Sequence, residues 1–267
     1  MNPRTAAVFA AARNEGRAAL IGYLPAGFPT VESSIELIQA MFDGGVDLVE
    51  VGLPYSDPLM DGPAIQQAVE TALAAGVTTA DVLAVVRGLE PSDSQAVVVM
   101  SYWNPIERYG QTRFAADLAA AGGSGVITPD LIPEEAGEWM EATDAVEVDR
   151  TFLVAPSSTD ARIDRVVSAC TGFVYAASTM GVTGARDQVS SAAPELVERV
   201  RPRTDAPIGV GLGVSSARQA ADIAGYADGV IVGSAFVRRI LDAPDLDSAK
   251  ASVRGFASEL AVGVRSG

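Results

Sequence analysis

The chain has 267 residues, enough for a sizeable core, and because β/α barrels of this length are commonly one domain, residues 1–267 are read as a single domain. Lys and Arg number 19 against 34 Asp and Glu, a net charge of −15. With a pI near 4.3 the surface repels nucleic acid and anionic membranes. Histidine is absent, which removes the commonest general base and metal ligand, and Cys170 is the single cysteine, which excludes an intramolecular disulfide and a Cys-rich metal site. One thiol fits a reducing cytoplasm, and Cys170 itself reads as a core residue. The one lysine, Lys250, falls in "LDSAKASVRGF", which reads as an exposed helix turn, so acid–base chemistry is left to carboxylates, hydroxyls and backbone amides.

In chain order, "TAAVFAAARNEG" predicts a leading helix; it is too short for a membrane span and lacks the layout of a signal peptide. Eight β-rich runs follow, at residues 18–24, 47–53, 96–102, 125–128, 151–155, 173–178, 207–212 and 229–234. Between them lie segments of helical periodicity such as "VESSIELIQAMFDGG" and "ARQAADIAGYA", several ending in Gly. Strand and helix alternating at this spacing predict right-handed βαβ units and an eight-stranded parallel β/α (TIM) barrel with an extra N-terminal helix. The competing architecture, an open doubly wound sheet, calls for a Gly-rich turn after the first strand, where this chain has "PAGFP". No apolar run is long enough to cross a bilayer, so a soluble cytoplasmic protein is expected.

In a β/α barrel, function resides at the C-terminal ends of the strands and in the loops beyond them. Along "DLVEVGL" the alternation places Leu48, Glu50 and Gly52 on one face, with Val49, Val51 and Leu53 on the other. An acid beneath the helices would be costly, so Glu50 is expected to point into the barrel mouth, where burial raises a carboxyl pKa toward that of a proton donor and acceptor. A structural Glu bonded to mouth backbone is the other reading of that strand. Asp61 follows eleven positions later in "DPLMDGP"; Asp before Gly is a common turn residue, but a second carboxylate on the adjoining loop could flank a substrate with Glu50.

"GLGVS" and "GSAF" place glycines just after the seventh and eighth strands, each leading into a helix, which is the frequent phosphate site of such barrels. Ser234 can add a hydroxyl there. "STMGVTGAR" has the composition of a hinged loop over a pocket, and Tyr102 and Tyr175 fall at or near strand ends, in reach of a flat ring.

Taken in order, "AGFP", "EVGLPYSDPLMDGP" followed by "IQ", "YWNPI", "PDLIPEE", "GVTGAR", "GLGVS" and "GSAF" resemble the tryptophan synthase alpha subunit family from about residue 18 to 240. The resemblance implies retro-aldol cleavage of indole-3-glycerol phosphate to indole and glyceraldehyde 3-phosphate. It implies Glu50 as general acid/base and Asp61 as the partner of the indole N–H. It further implies Gly184, Gly213, Gly233 and Ser234 as the phosphate site, Ile65, Tyr102 and Tyr175 as pocket positions, and Thr183 as the lid residue that meets the Asp61 loop on closure. Neither cofactor nor metal is implied for this chain; pyridoxal phosphate is expected only on a beta subunit in an α2β2 complex, met through Asp57, Pro58, Asn104 and Asp130. A freestanding lyase releasing indole and a catalytically silent regulatory subunit are the alternatives. Phe28, Thr128 and Leu212 depart from the residues usual in the family.

The missing residues agree with that implication. Breaking a carbon–carbon bond needs an electron sink, commonly a lysine Schiff base or a histidine-held metal. Here an indole ring protonated at C3 can serve as its own.

Overall fold

The computed structural model describes residues 1–177, 192–211 and 213–267. Thr183, Gly184 and Leu212 lie outside the described residues. The chain opens with α1 (Pro3–Asn14), β1 (Ala19–Pro25), α2 (Val31–Asp43), β2 (Leu48–Gly52), α3 (Pro63–Ala74) and α4 (Thr79–Gly88). It continues through β3 (Ala96–Met100), α5 (Trp103–Tyr109), α6 (Gln111–Ala120), β4 (Gly125–Ile127), α7 (Gly137–Asp144), β5 (Asp149–Thr151) and β6 (Leu153–Val154). Then come α8 (Asp160–Ala169), β7 (Val174–Ala177), α9 (Ala192–Val200), β8 (Ile208–Gly211), α10 (Ala217–Ala224), β9 (Gly229–Val232), α11 (Ser234–Leu241) and α12 (Leu246–Gly263).

Every strand pair is parallel, and the order β5-β4-β3-β2-β1-β9-β8-β7-β6 bends the sheet into a nearly closed barrel. The strands number nine among the described residues, not the eight expected, because the run predicted at residues 151–155 is two short strands on either side of Phe152. β5 pairs only with β4, and β6 only with β7. The cause is a tertiary contact: the Phe152 N–H donates to Cys170 Sγ at 3.3 Å instead of to a neighbouring strand, which interrupts the ladder. One backbone bond, Tyr175 N–H to the Phe152 carbonyl at 3.2 Å, spans the break. Burial pushes the Cys170 thiol up to about 12, so it stays protonated there.

The two strand faces separate as the alternation requires. Leu48, Ala96, Val98, Ile21, Ile127 and Ile231 form an inner cluster, whereas Val49 and Val51 pack in the larger cluster under the helices. Both faces are therefore apolar, as parallel strands covered by helices demand. The predicted leading helix is α1; its Val8, Phe9 and Ala12 join the inner cluster, with the Phe9 and Phe173 rings 5.8 Å apart. Gly229, at the start of β9, lies beside Phe9, so α1 plugs the barrel at the strand N-termini and leaves the other end open.

Helix starts are set by side chains that satisfy the free N–H groups of a first turn. Thr30 accepts from Ser33 N at 3.1 Å, Thr78 and Asp81 form a capping box, and Asp245 accepts from Ser248 N at 2.8 Å. Lys250 sits on α12, on the outer layer, with its ammonium bonded to Glu36 of α2 at 2.6 Å. No single helix among the described residues is long and apolar enough to cross a membrane.

Candidate active site

Glu50 lies in register between Tyr23 of β1 and Val98 of β3, on the inward face of β2. It is 1% exposed, and its Oε1 has no hydrogen-bond partner among the described residues. Burial without a compensating cation pushes the carboxyl up to about 8, so it is held protonated at neutral pH and poised to give up that proton. No described backbone group bonds to that oxygen.

Asp61 reaches the same mouth from the loop between β2 and α3. The Tyr102 hydroxyl donates to Asp61 Oδ1 at 2.9 Å and accepts from Met60 N at 3.0 Å, which ties the loop to the end of β3. On the other side Gln66 Nε2 donates to the Asp61 carbonyl at 2.8 Å. Burial raises the Asp61 carboxyl, and the Tyr102 bond opposes that rise by stabilising the charged form. The two acids thus have different surroundings: one dry and unpartnered, the other anchored by a phenol. Such a pair can divide acid and base roles.

Tyrosines enclose these carboxylates. The Tyr102 ring stacks at 5.5 Å from Tyr55, and Tyr175 on β7 lies near enough to Glu50 that the carboxylate charge adds to the effect of burial in raising its phenol. Strand ends beside the phenols have to be bare. A Cβ on Gly211 would overlap the Tyr175 hydroxyl, and one on Gly52 would overlap that of Tyr23. Tyr23 escaped the sequence reading, although the alternation Ala19, Ile21, Tyr23 could have found it, since register places it beside Glu50.

Two strands round the mouth from Glu50, after β9, Ser234 is the buried first residue of α11, a helix whose start carries no side-chain cap. Tyr23 Cβ and Ile65 Cδ1 approach the position of a Cβ on Gly233 at 3.5 and 3.8 Å, so Ile65 belongs to the same wall. The neighbouring helix differs: α10 is capped by its own Ser216, which accepts from Gln219 N at 3.3 Å. Of the two predicted phosphate loops, that at Gly233 and Ser234 has the open helix end, while Gly213, with φ at +65°, makes the turn after β8.

An apolar cavity of about 330 Å³ adjoins Asp61 through Met60 and is lined by Pro129, Leu131, Phe152, Leu153 and Ala177. These residues were not singled out from sequence, because aliphatic side chains at strand ends look like core. Asp57 is exposed and Pro58 half-buried on the loop after β2, Asp130 is exposed on the loop after β4, and exposed Asn104 lies in the first turn of α5, all at the rim of the same mouth. Asp130 accepts from Trp103 N at 2.9 Å, and Leu59, between Pro58 and Met60, is 71% exposed.

The chain matches a family model described as tryptophan synthase alpha chain over residues 9–264. It is 64% identical over 259 residues to the tryptophan synthase alpha chain of Thermobifida fusca, covering 96% of each chain. To that of Mycobacteroides abscessus it is 60% identical, covering 98% of this chain and 97% of the relative. Among solved structures, Mycobacterium tuberculosis tryptophan synthase superposes with a TM-score of 0.92 at 54% identity, with 100% of both chains covered.

Proposed function

The chain belongs to the tryptophan synthase alpha chain family, and from that membership we propose that it cleaves indole-3-glycerol phosphate to indole and glyceraldehyde 3-phosphate. The observation that carries this reading is the buried Glu50 carboxyl, whose Oε1 has no partner among the described residues, with Tyr23 close enough to feel the charge of both Glu50 and Asp61. Glu50, protonated at rest, gives its proton to indole C3. The ring becomes an electron-poor iminium, and Asp61 stabilises it by accepting a hydrogen bond from the ring N–H. The Glu50 carboxylate then takes the proton of the hydroxyl on the carbon joined to the ring. That carbon becomes an aldehyde, the bonding pair returns to C3 and restores the indole, and Glu50 ends as it began. No external electron sink is needed, so no cofactor or metal is assigned to this chain.

The distal phosphate is held by Gly184, Gly213, Gly233, Ser234 and the open start of α11, while Thr183 meets the Asp61 loop on closure. An acidic protein can bind an anion here because the donors are backbone amides and a hydroxyl. Ile65, Tyr102 and Tyr175 enclose the reacting end, and the cavity beside Met60 suits an apolar ring. We further infer one catalytic domain of eight β/α units, with β5 and β6 as one interrupted strand. Asp57, Pro58, Asn104, Asp130 and exposed Leu59 would dock a pyridoxal-phosphate beta subunit in a cytoplasmic α2β2 complex, to which indole passes.

The test is indole release from indole-3-glycerol phosphate by the purified chain, with and without a beta subunit. Indole should appear and its rate should rise with beta. Absence of indole in both conditions would overturn the reading, and a high rate unaffected by beta would point to a freestanding lyase. Glu50→Gln should lower kcat by about 10²–10⁴-fold, the usual worth of a positioned acid–base group.

A further inference from the structure

We propose that Tyr23 is a further specificity-determining residue of this site, its hydroxyl donating a hydrogen bond to the substrate oxygen that becomes the aldehyde. The inference rests on the functional reading above and adds a residue to it. Tyr23 is 8% exposed, and its Cα pairs in register with that of Glu50. The phenol lies across the end of β2, where a Cβ on Gly52 would overlap the hydroxyl and stand 2.6 Å from Tyr23 Cζ. Gly52 has no positive φ, so the bare backbone there serves to admit the phenol.

Two polar groups of opposite capability then face one mouth. Glu50 Oε1 is an acceptor without a donor, and no hydrogen bond engages the Tyr23 hydroxyl among the described residues. Leaving Glu50 Oε1 buried and unsatisfied is costly, and one ligand hydroxyl removes that cost by donating to it while accepting from the Tyr23 hydroxyl beside it. Burial first, then the nearby Asp61, Tyr102, Glu50 and Tyr175, raise the phenol well above its ordinary pKa. Tyr23 therefore stays protonated as a donor throughout the working range.

During cleavage the substrate hydroxyl passes its proton to Glu50 while its carbon–carbon bond breaks. Negative charge gathers on that oxygen before the carbonyl is complete, and a preorganised donor aimed at it favours the transition state over the bound substrate. The Tyr23 proton remains on the phenol throughout, so the balance of the reaction is unchanged.

The experiment compares Tyr23→Phe with wild type in the complex with beta. Expected are a fall in kcat of about 10- to 100-fold and a KM within about twofold of wild type. Affinity for an analogue joining indole to phosphate through a propyl chain without hydroxyls should be unchanged. Wild-type kcat in the variant would overturn the proposal, as would an equal loss of affinity for the hydroxyl-free analogue, which marks a packing role. Failure of the wild-type protein to release indole would instead overturn the functional reading.

Discussion

Glu50 imposes a cost on the fold that can be measured. Its carboxyl ionises near the ordinary 4.5 of a glutamate in the unfolded chain and is pushed up to about 8 by burial in the folded one. Between those values the unfolded state has lost a proton that the folded state keeps, so stability falls as pH rises across this window and levels off above about 8. Glu50→Gln removes that titration. It should unfold at a higher urea concentration than wild type at pH 7, by on the order of 3 kcal/mol, and converge with wild type near pH 4.5. Equal pH dependence in the two proteins would show that Glu50 is not the buried neutral acid described above. The same titration predicts that kcat falls above about pH 8, as the resting proton on Glu50 is lost. Glu50 could be found in the sequence because a charged residue breaks an otherwise apolar alternation. Asp61 was legible only as half of a pair, since a lone Asp before Gly looks like any turn. The alternation along β1 could have placed Tyr23 on the inner face, but a tyrosine in an apolar strand raises no conflict, and the glycine of the next strand that admits its hydroxyl is seen only in the fold.

At the level of elements, α10 and α11 look alike in sequence, each following a glycine-bearing strand end, yet they differ in what satisfies their first turn. Ser216 caps α10, and α11 has no side-chain cap. Gly233 is also not required by the backbone or by packing: its φ is −116°, and an added Cβ would meet its nearest neighbour at an ordinary 3.5 Å. A glycine at the open start of a helix, where an added Cβ meets no clash within the protein, fits the proposed close approach of the substrate phosphate. Gly233→Ala should therefore keep a melting temperature within about 2 °C of wild type, well below the shift of a typical destabilising change. Its KM for indole-3-glycerol phosphate should rise about tenfold, equivalent to roughly 1.4 kcal/mol of lost phosphate binding. A large fall in stability with unchanged KM would assign the glycine to packing instead. Element order and type could be read from the two periodicities, and the main miss was the fifth strand. Its break comes from Cys170, eighteen positions away, taking the Phe152 N–H, a tertiary contact that overrides a locally continuous β pattern.

Across the whole molecule, the barrel has a closed end and a working end, and composition alone distinguishes them poorly. The interior is apolar from α1 up to Ile21, Leu48 and Ala96, and turns polar at Tyr23 and Glu50, one inward-facing position further along β1 and β2. This gradient separates stability from chemistry. Phe9 is 5% exposed, sealed against Phe173 and Gly229 at the strand N-termini, and it belongs to a helix that lies outside the β/α repeat. Removing its ring leaves a void in the plug, with a loss of about 3–5 kcal/mol expected for a buried Phe→Ala change. Because the lost contacts are at the opposite end from Glu50 and Asp61, the folded fraction of Phe9→Ala should retain a kcat within about twofold of wild type. Urea unfolding followed by circular dichroism measures the first quantity, and indole release at a temperature below the variant's transition measures the second. A drop in kcat of tenfold or more with the fold intact would mean that packing at the closed end sets the geometry of the mouth, and that the two ends are mechanically coupled through the strands.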